Sequence, residues 1–102
     1  MFARNVSMRL KPNTAPEFTR TFENEVLPLL RKQDGFKDEL TLVQGGIQVV
    51  GISLWDRKEQ AETYERNTYP QVLKALAKVV DGTPRVETYE VSNSTFHEIA
   101  AK

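Results

Sequence analysis

The side chains available for chemistry in this 102-residue chain carry oxygen and nitrogen groups. There is no cysteine, which excludes a thiol nucleophile, a thiolate metal site and a disulfide scaffold. The single histidine, His97, cannot by itself build a zinc site or complete a two-histidine motif. What remains is a set of amide, indole, phenol and guanidinium groups, of which we single out Asn5, Trp55, Tyr64, Arg66 and Tyr69.

Composition limits which binding partners and which cellular compartment we expect. Fourteen basic residues balance fourteen acidic ones, so no net field attracts nucleic acid or an anionic membrane. No run approaches the roughly 20 apolar residues of a membrane span, and the first ten residues do not resemble a signal peptide. We therefore expect a cytoplasmic protein made of one domain over 1–102, with a core at 2–92 and a C-terminal tail at 93–102.

The N-terminal part predicts a strand followed by a helix. Residues 2–10 alternate, which places Phe2, Arg4, Val6, Met8 and Leu10 on one face and Ala3, Asn5, Ser7 and Arg9 on the other. Phe18, Phe22, Val26, Leu29 and Leu30 then recur at helical spacing. We expect Pro28 to kink the last turns or to end the regular helix early, before Gly35 terminates it.

The rest of the chain predicts a hairpin, an interrupted helix and a last strand. Two strand-like runs, at 36–44 and 47–55, are joined by Gly45-Gly46, a good hairpin signal. The second run is apolar on both faces. A helix then begins near 57–60, is interrupted at 67–70 by the residues before Pro70, and stops at Asp81-Gly82. The last strand is expected at about 85–91.

This order is strand, helix, strand, strand, helix, strand. It predicts an α+β, ferredoxin-like βαββαβ fold with a four-stranded antiparallel sheet and both helices on one face. The second face of such a sheet would be bare, yet the run at 47–55 has apolar side chains on both sides. An apolar face that is left uncovered usually marks an interface, and a symmetric pair is the commonest closed assembly. We therefore predict a homodimer.

Several short segments along this order are similar to one known family. They are Pro28, Asp34-Gly35-Phe36, Leu54-Trp55-Asp56, Glu59–Ala61, Asn67–Pro70 and Thr88–Val91. With their order and spacing they resemble the antibiotic biosynthesis monooxygenase superfamily over about residues 2–92. The resemblance implies a dimeric α+β barrel in which each protomer keeps a pocket between sheet and helices. Some members oxidise polycyclic quinols with oxygen and no metal or flavin, others open the haem ring or degrade small signal molecules, and some have no known activity.

The resemblance also implies roles for the residues singled out above. It suggests a cofactor-independent monooxygenase acting on a small aromatic or quinol-like substrate, with no metal. Asn5 matches a pocket asparagine of the family and would stabilise a developing oxyanion. Tyr64 or Tyr69 would orient the substrate hydroxyl, Trp55 would stack on its ring, and Arg66 would favour an anion if it turns inward.

Other functions stay open or are disfavoured. The haem-degrading branch needs a histidine at about Lys74, and His97 lies in the tail, so haem cleavage is not expected. No strong general base is apparent, which leaves a non-catalytic dimer that binds a small ligand as the alternative. A nucleic-acid-binding role is disfavoured by the neutral charge and by strands that lack clustered aromatic and basic residues.

Overall fold

Four antiparallel strands form the sheet in the computed structural model, which describes residues 1–97. They are β1 (Phe2–Leu10), β2 (Phe36–Gln44), β3 (Gln48–Trp55) and β4 (Val80–Glu90), in the order β2-β3-β1-β4. The predicted sheet is therefore confirmed. β4 begins at Val80, earlier than expected, because Val80 and Asp81 already pair with Leu10 and Arg9 of β1. Residues 98–102 of the predicted tail lie outside the described residues.

The first helical region is one continuous helix with an irregular turn in the middle. It consists of α1 (Ala15–Thr21), a π-helical segment (Phe22–Val26) and α2 (Leu27–Arg31). Pro28 explains the irregularity, because it has no N–H to donate and its ring would clash with the carbonyl of Asn24 in a regular α-helix. The N–H of Leu27 bonds instead to the carbonyl of Phe22, five residues back. The regular α-helix is thus interrupted just before Pro28, but it resumes and continues to Arg31 instead of ending early.

The second helical region is divided where the sequence indicates. α3 (Lys58–Asn67) ends before Thr68, and α4 (Tyr69–Leu76) begins directly after it, with Pro70 in its first turn. Pro70 is tolerated there because the first N–H groups of a helix have no partner within it. The break turns α4 so that Val72 and Leu76 are buried beside the sheet.

All helices pack against one face of the sheet, which we call the inner face. Its core includes the fully buried side chains of Leu10, Phe18, Val26, Val49, Trp55 and Val79. No helix within residues 1–97 is long and apolar enough to cross a membrane.

The opposite, outer face of the sheet has no layer over it in the described chain. Strand alternation and register bring together on this face an apolar set that we call the outer-face patch: Leu40, Leu42, Val50, Ile52, Leu54 and Tyr89. Leu40, Leu42 and Tyr89 are each about half exposed, at 50%, 49% and 52%. The arrangement with the helices on one face and a bare apolar face on the other is the one that the sequence predicts.

Candidate active site

A cavity lies between the inner face and the helices, at the level of the π-helical segment. Its volume is about 40 Å³. Most of its wall is apolar and comes from β1 and the helices: Val6, Met8, Phe22, Val26, Leu30, Val72, Leu73 and Leu76. Its polar groups gather at one end: Arg4, Glu39, Ser53, Tyr64 and Tyr69. A pocket of this kind, apolar with a few convergent polar groups, is the usual form of a small-molecule site.

Three of the polar residues form a row across the sheet. Arg4 of β1 pairs with Ser53 of β3, and Ser53 pairs with Glu39 of β2. Neighbouring strands are about 4.8 Å apart, so the Cα atoms of Arg4 and Glu39 are separated by about 10 Å. A cation and a carboxylate thus stand on opposite sides of Ser53 and face the same cavity.

Arg4 is the most unusual residue of the cavity, because its side chain is 3% exposed. Its Nη2 donates to Glu65 Oε1 at 3.1 Å. Its guanidinium carbon lies 4.4 Å from the ring centre of Tyr69 and 5.1 Å from that of Tyr64. A guanidinium has five N–H donors, so one bond to Glu65 leaves donors for a ligand oxygen. The two rings and the carboxylate hold this cation in a largely dry environment.

The two tyrosines of the cavity stay protonated at neutral pH. Burial raises the pKa of Tyr64 to about 12, although the Arg4 cation acts in the opposite direction. The pKa of Tyr69 is raised too, again mainly by burial and against the influence of Arg4. Both hydroxyls are therefore suited to donating hydrogen bonds to a ligand and unsuited to accepting its proton.

Among residues 1–97, Glu39 supplies the one carboxylate that lines this cavity. Both of its carboxylate oxygens accept from the hydroxyl of Thr41, at 3.0 and 2.8 Å. Burial raises the pKa of Glu39, the Thr41 hydrogen bond lowers it, and the neighbouring Asp38 raises it. On β3, Gly51 leaves space beside this carboxylate: a Cβ at Gly51 would lie 3.5 Å from Glu39 Oε2.

The structure brings together some of the residues that the sequence singles out. Tyr64 and Tyr69 line the cavity, with ring centres 6.1 Å apart. Trp55 is fully buried behind them: its ring packs 5.1 Å from that of Tyr64, and its Nε1 donates to Ser53 Oγ at 2.9 Å. Trp55 is not among the lining residues, so its contact with the cavity is indirect.

Asn5 and Arg66 lie outside the cavity. Strand alternation turns Asn5 to the outer face, where its Oδ1 accepts from Ser7 Oγ at 3.5 Å. Arg66 is exposed on α3 and donates to Thr63 Oγ1 at 3.5 Å. The cavity therefore includes neither residue. The catalytic role of Asn5 and the binding role of Arg66 stay predictions.

Sequence reasoning missed Arg4 and Glu39 as functional candidates. For Arg4 a signal existed, because it is the one charged residue on a face shared with Phe2, Val6 and Met8. For Glu39 there was none, since it alternates with Leu40 and Leu42, which would normally be assigned to the core. Among residues 1–97 no three His, Cys, Asp or Glu side chains come together as a metal site.

Comparisons with known proteins identify the fold. No family model and no curated protein sequence matches the chain. Among solved structures, a protein of unknown function from Nitrosomonas europaea has a TM-score of 0.78 at 17% identity, covering 92% of this chain and 91% of its own. The ActVA-Orf6 monooxygenase of Streptomyces coelicolor, in complex with nanaomycin D, has a TM-score of 0.77 at 16% identity, with coverages of 91% and 88%.

A third solved structure has the same fold. SnoaB, a cofactor-independent oxygenase from Streptomyces nogalater, has a TM-score of 0.74 at 14% identity and covers 92% of this chain and 96% of its own. Structures described as antibiotic biosynthesis monooxygenases are among the other matches. The chain therefore has the antibiotic biosynthesis monooxygenase fold, as the resemblance implied. At these identities the likeness establishes the fold, and function has to be argued from the site.

Proposed function

We propose that this protein is a cofactor-independent monooxygenase that oxidises a small aromatic or quinol-like substrate and works as a cytoplasmic homodimer. The observation that carries the proposal is the buried cation of Arg4 at the polar end of an apolar cavity. An aromatic ring would bind the apolar wall, and an oxygen of the substrate that becomes negative would meet the guanidinium. In a dry site such a charge is stabilised far more than in water.

The proposed chemistry needs few groups from the protein. A quinol-type substrate loses a proton, and the resulting anion reacts with dioxygen. One oxygen atom forms a carbonyl on the substrate carbon, and the other leaves as water with the hydrogen that remains on that carbon and the proton that was lost first. Arg4 would stabilise the anion, Tyr64 and Tyr69 would orient the substrate oxygen, and Trp55 would fix the ring of Tyr64. The fold shared with SnoaB, described as a cofactor-independent oxygenase, supports this reaction class.

The size of the cavity limits what can bind without rearrangement. About 40 Å³ accommodates a few water molecules, whereas a cavity of about 150 Å³ is needed to hold a benzene ring. An aromatic substrate would therefore displace lining side chains. Phe22 and Leu73 are apolar lining residues that are only partly buried, so their movement costs little.

The homodimer is proposed from the outer-face patch. Two copies packed face to face would bury Leu40, Leu42 and Ile52 against each other, and stacked sheets pack about 10 Å apart. Asn5 pairs with Ile52 in the sheet and would then lie within the contact. The barrel formed by two such sheets is the assembly that the resemblance implies.

The test is oxygen uptake with 1,8-dihydroxyanthrone by the wild-type protein and by Arg4→Met. We expect kcat to fall about 100-fold or more in Arg4→Met, because a donor to the developing oxyanion is lost. Arg9→Met is the matched control, since Arg9 is an exposed arginine of the same strand. Circular dichroism checks that each variant is folded. Equal rates in Arg4→Met and wild type would overturn the assigned role of Arg4.

A non-catalytic ligand-binding dimer is the second candidate. The small volume of the cavity favours it, because it suits a ligand smaller than a polycyclic quinol. Binding of para-nitrophenol without oxygen uptake on quinols or anthrones would decide for this alternative. Asn5→Ala in the same assay decides its predicted catalytic role, since unchanged turnover would remove Asn5 from the mechanism.

A further inference from the structure

We infer that Glu39 is the proton acceptor of this cavity and that Glu39 and Arg4 act on opposite ends of one conjugated ring. The inference rests on the proposed function, a reaction for which the sequence showed no general base. It assigns a catalytic role to a residue of the edge strand β2 and specifies the substrate as a ring that carries an acidic hydrogen at one end and an oxygen at the other.

Glu39 and Arg4 lie in register on the inner face of the sheet. The two residues lie in one row of the sheet with Ser53 between them, about 10 Å apart at their Cα atoms. Both side chains reach into the cavity above Ser53. A ring that entered there by displacing lining side chains would have one end towards the carboxylate and the other towards the guanidinium.

The surroundings of the Glu39 carboxylate leave it accessible from the cavity and held in place. Gly51 presents no side chain next to Glu39, so a ligand can approach Oε2 from the cavity. The Thr41 hydroxyl holds the carboxylate in place. Burial raises the pKa of Glu39, which makes its carboxylate a better proton acceptor than that of an exposed glutamate.

The two tyrosines of the cavity do not compete with Glu39 for the proton. Tyr64, with a pKa of about 12, and Tyr69, whose pKa is also raised, already carry theirs. Arg4 is a permanent cation. Ser53 and Thr41 are neutral hydroxyls, and Asp38 is an exposed neighbour on the same strand. Glu65 does not line the cavity and is paired with Arg4.

The proposed step is a proton transfer that balances without an oxidant. The O–H or C–H bond at one end of the ring breaks, the proton goes to a carboxylate oxygen of Glu39, and the electron pair stays on the substrate. Conjugation moves the negative charge to the oxygen at the far end, where Arg4 stabilises it. No electron enters or leaves the protein in this step. The anion is then the species that reacts with dioxygen.

The experiment measures proton uptake independently of turnover. Para-nitrophenol is the probe, because its hydroxyl and its nitro oxygens lie at opposite ends of one ring. Calorimetric titrations at about pH 8, where the free probe is ionised, are run in two buffers of different ionisation enthalpy. The wild-type protein is expected to take up about one proton per bound phenolate, because Glu39 accepts it, whereas Glu39→Gln takes up none. Asp38→Asn, which removes a neighbouring exposed carboxylate, is expected to retain the uptake.

The same variants are then compared in the oxygen-uptake assay. Glu39→Gln is expected to lower kcat/KM by about 100-fold or more and to remove the acidic limb of its pH profile, while Asp38→Asn retains both. Proton uptake with no oxygen consumption would support Glu39 and refute the monooxygenase. The inference is overturned by no binding of the probe, by equal proton uptake in wild type and Glu39→Gln, or by uptake that is lost in Glu65→Gln and kept in Glu39→Gln.

Discussion

Each face of the sheet carries side chains that would be expected on the other: charged ones on the covered face and apolar ones on the uncovered face. The inner face, covered by the helices, contains a buried arginine and a partly buried glutamate in one row. The outer face, which no described segment covers, carries the half-exposed side chains of Leu40, Leu42 and Tyr89. Charges are rarely buried without a partner, and a sizeable exposed apolar patch usually marks an interaction site.

The difference assigns a separate task to each face. On the inner face, burying Arg4 costs free energy, which the contacts with Glu65, Tyr64 and Tyr69 offset. A charge kept at such a cost is useful when a ligand carries the opposite charge. On the outer face the apolar side chains gain nothing until another surface covers them. Chemistry is thus expected on the inner face and assembly on the outer face.

The largest effect is expected from a charge placed on the outer face. Leu42→Lys puts an ammonium group into the proposed dimer contact, and the two-fold symmetry of the dimer puts a second one there. We expect the dimer dissociation constant to rise by at least about 100-fold, because burying an unpaired charge costs several kcal/mol. Sedimentation over a range of concentrations measures the change.

Val43→Lys is the matched control for this comparison. Val43 is the next residue of β2 and has the same 49% exposure, but its side chain points to the inner side of the sheet. The dimer dissociation constant of Val43→Lys should equal that of the wild type. Equal dissociation in both variants would show that the outer face is not the contact, and a wild-type monomer would refute the homodimer.

The second prediction concerns the inner face at high pH. Because the pKa of Tyr64 is raised to about 12 from 10.0, the folded protein holds this proton more tightly than the unfolded chain. The associated stability is fully present below pH 10 and is lost as the pH rises to about 12, by about 2 kcal/mol. Tyr69 contributes in the same direction.

Denaturant unfolding at several alkaline pH values tests this effect. Tyr64→Phe has no ionisable hydroxyl, so its free energy of unfolding should fall less steeply than that of the wild type. If Tyr64→Phe keeps the wild-type slope, Tyr64 is not the group responsible.

Much of the fold could be predicted from the sequence, because it depends on local signals. Gly45 and Gly46 both have positive φ, 62° and 69°, as a tight hairpin turn requires. Pro28 and Pro70 interrupt the helices at the expected places. The start of β4 was missed because Asp81-Gly82 resembles a helix end and turn, while pairing with β1 keeps these residues in the strand.

The candidate site was less predictable because it depends on which face the helices cover. In β2, alternation separates Glu39 and Thr41 from Leu40 and Leu42, and the apolar pair would normally be placed inside. The irregularity in pairing between Phe36 and Asp38 is a tertiary feature that the sequence pattern does not reveal. In this protein the apolar pair faces outwards, and Glu39 faces the cavity.

The smallest predicted effect separates the function of the inner face from its stability. A glycine inside a strand costs about 0.5–1 kcal/mol relative to alanine, yet Gly51 occupies a strand that lies between two others. The backbone of Gly51 does not require glycine, since its φ is not positive, and a Cβ would meet nothing closer than Glu39 Oε2 at 3.5 Å. Gly51→Ala should therefore raise the free energy of unfolding by about 0.5–1 kcal/mol.

The same methyl group would occupy part of the space beside Glu39. We therefore expect Gly51→Ala to bind para-nitrophenol more weakly while it unfolds at higher denaturant concentration, a combination that a purely structural position does not produce. Increased stability with unchanged affinity would mean that the ligand does not lie over Gly51. Decreased stability would mean that the glycine is required by the sheet itself. Weaker binding in a more stable protein would indicate that glycine at position 51 keeps space in the cavity although it lowers the stability of the strand. A functional inner face implies this result.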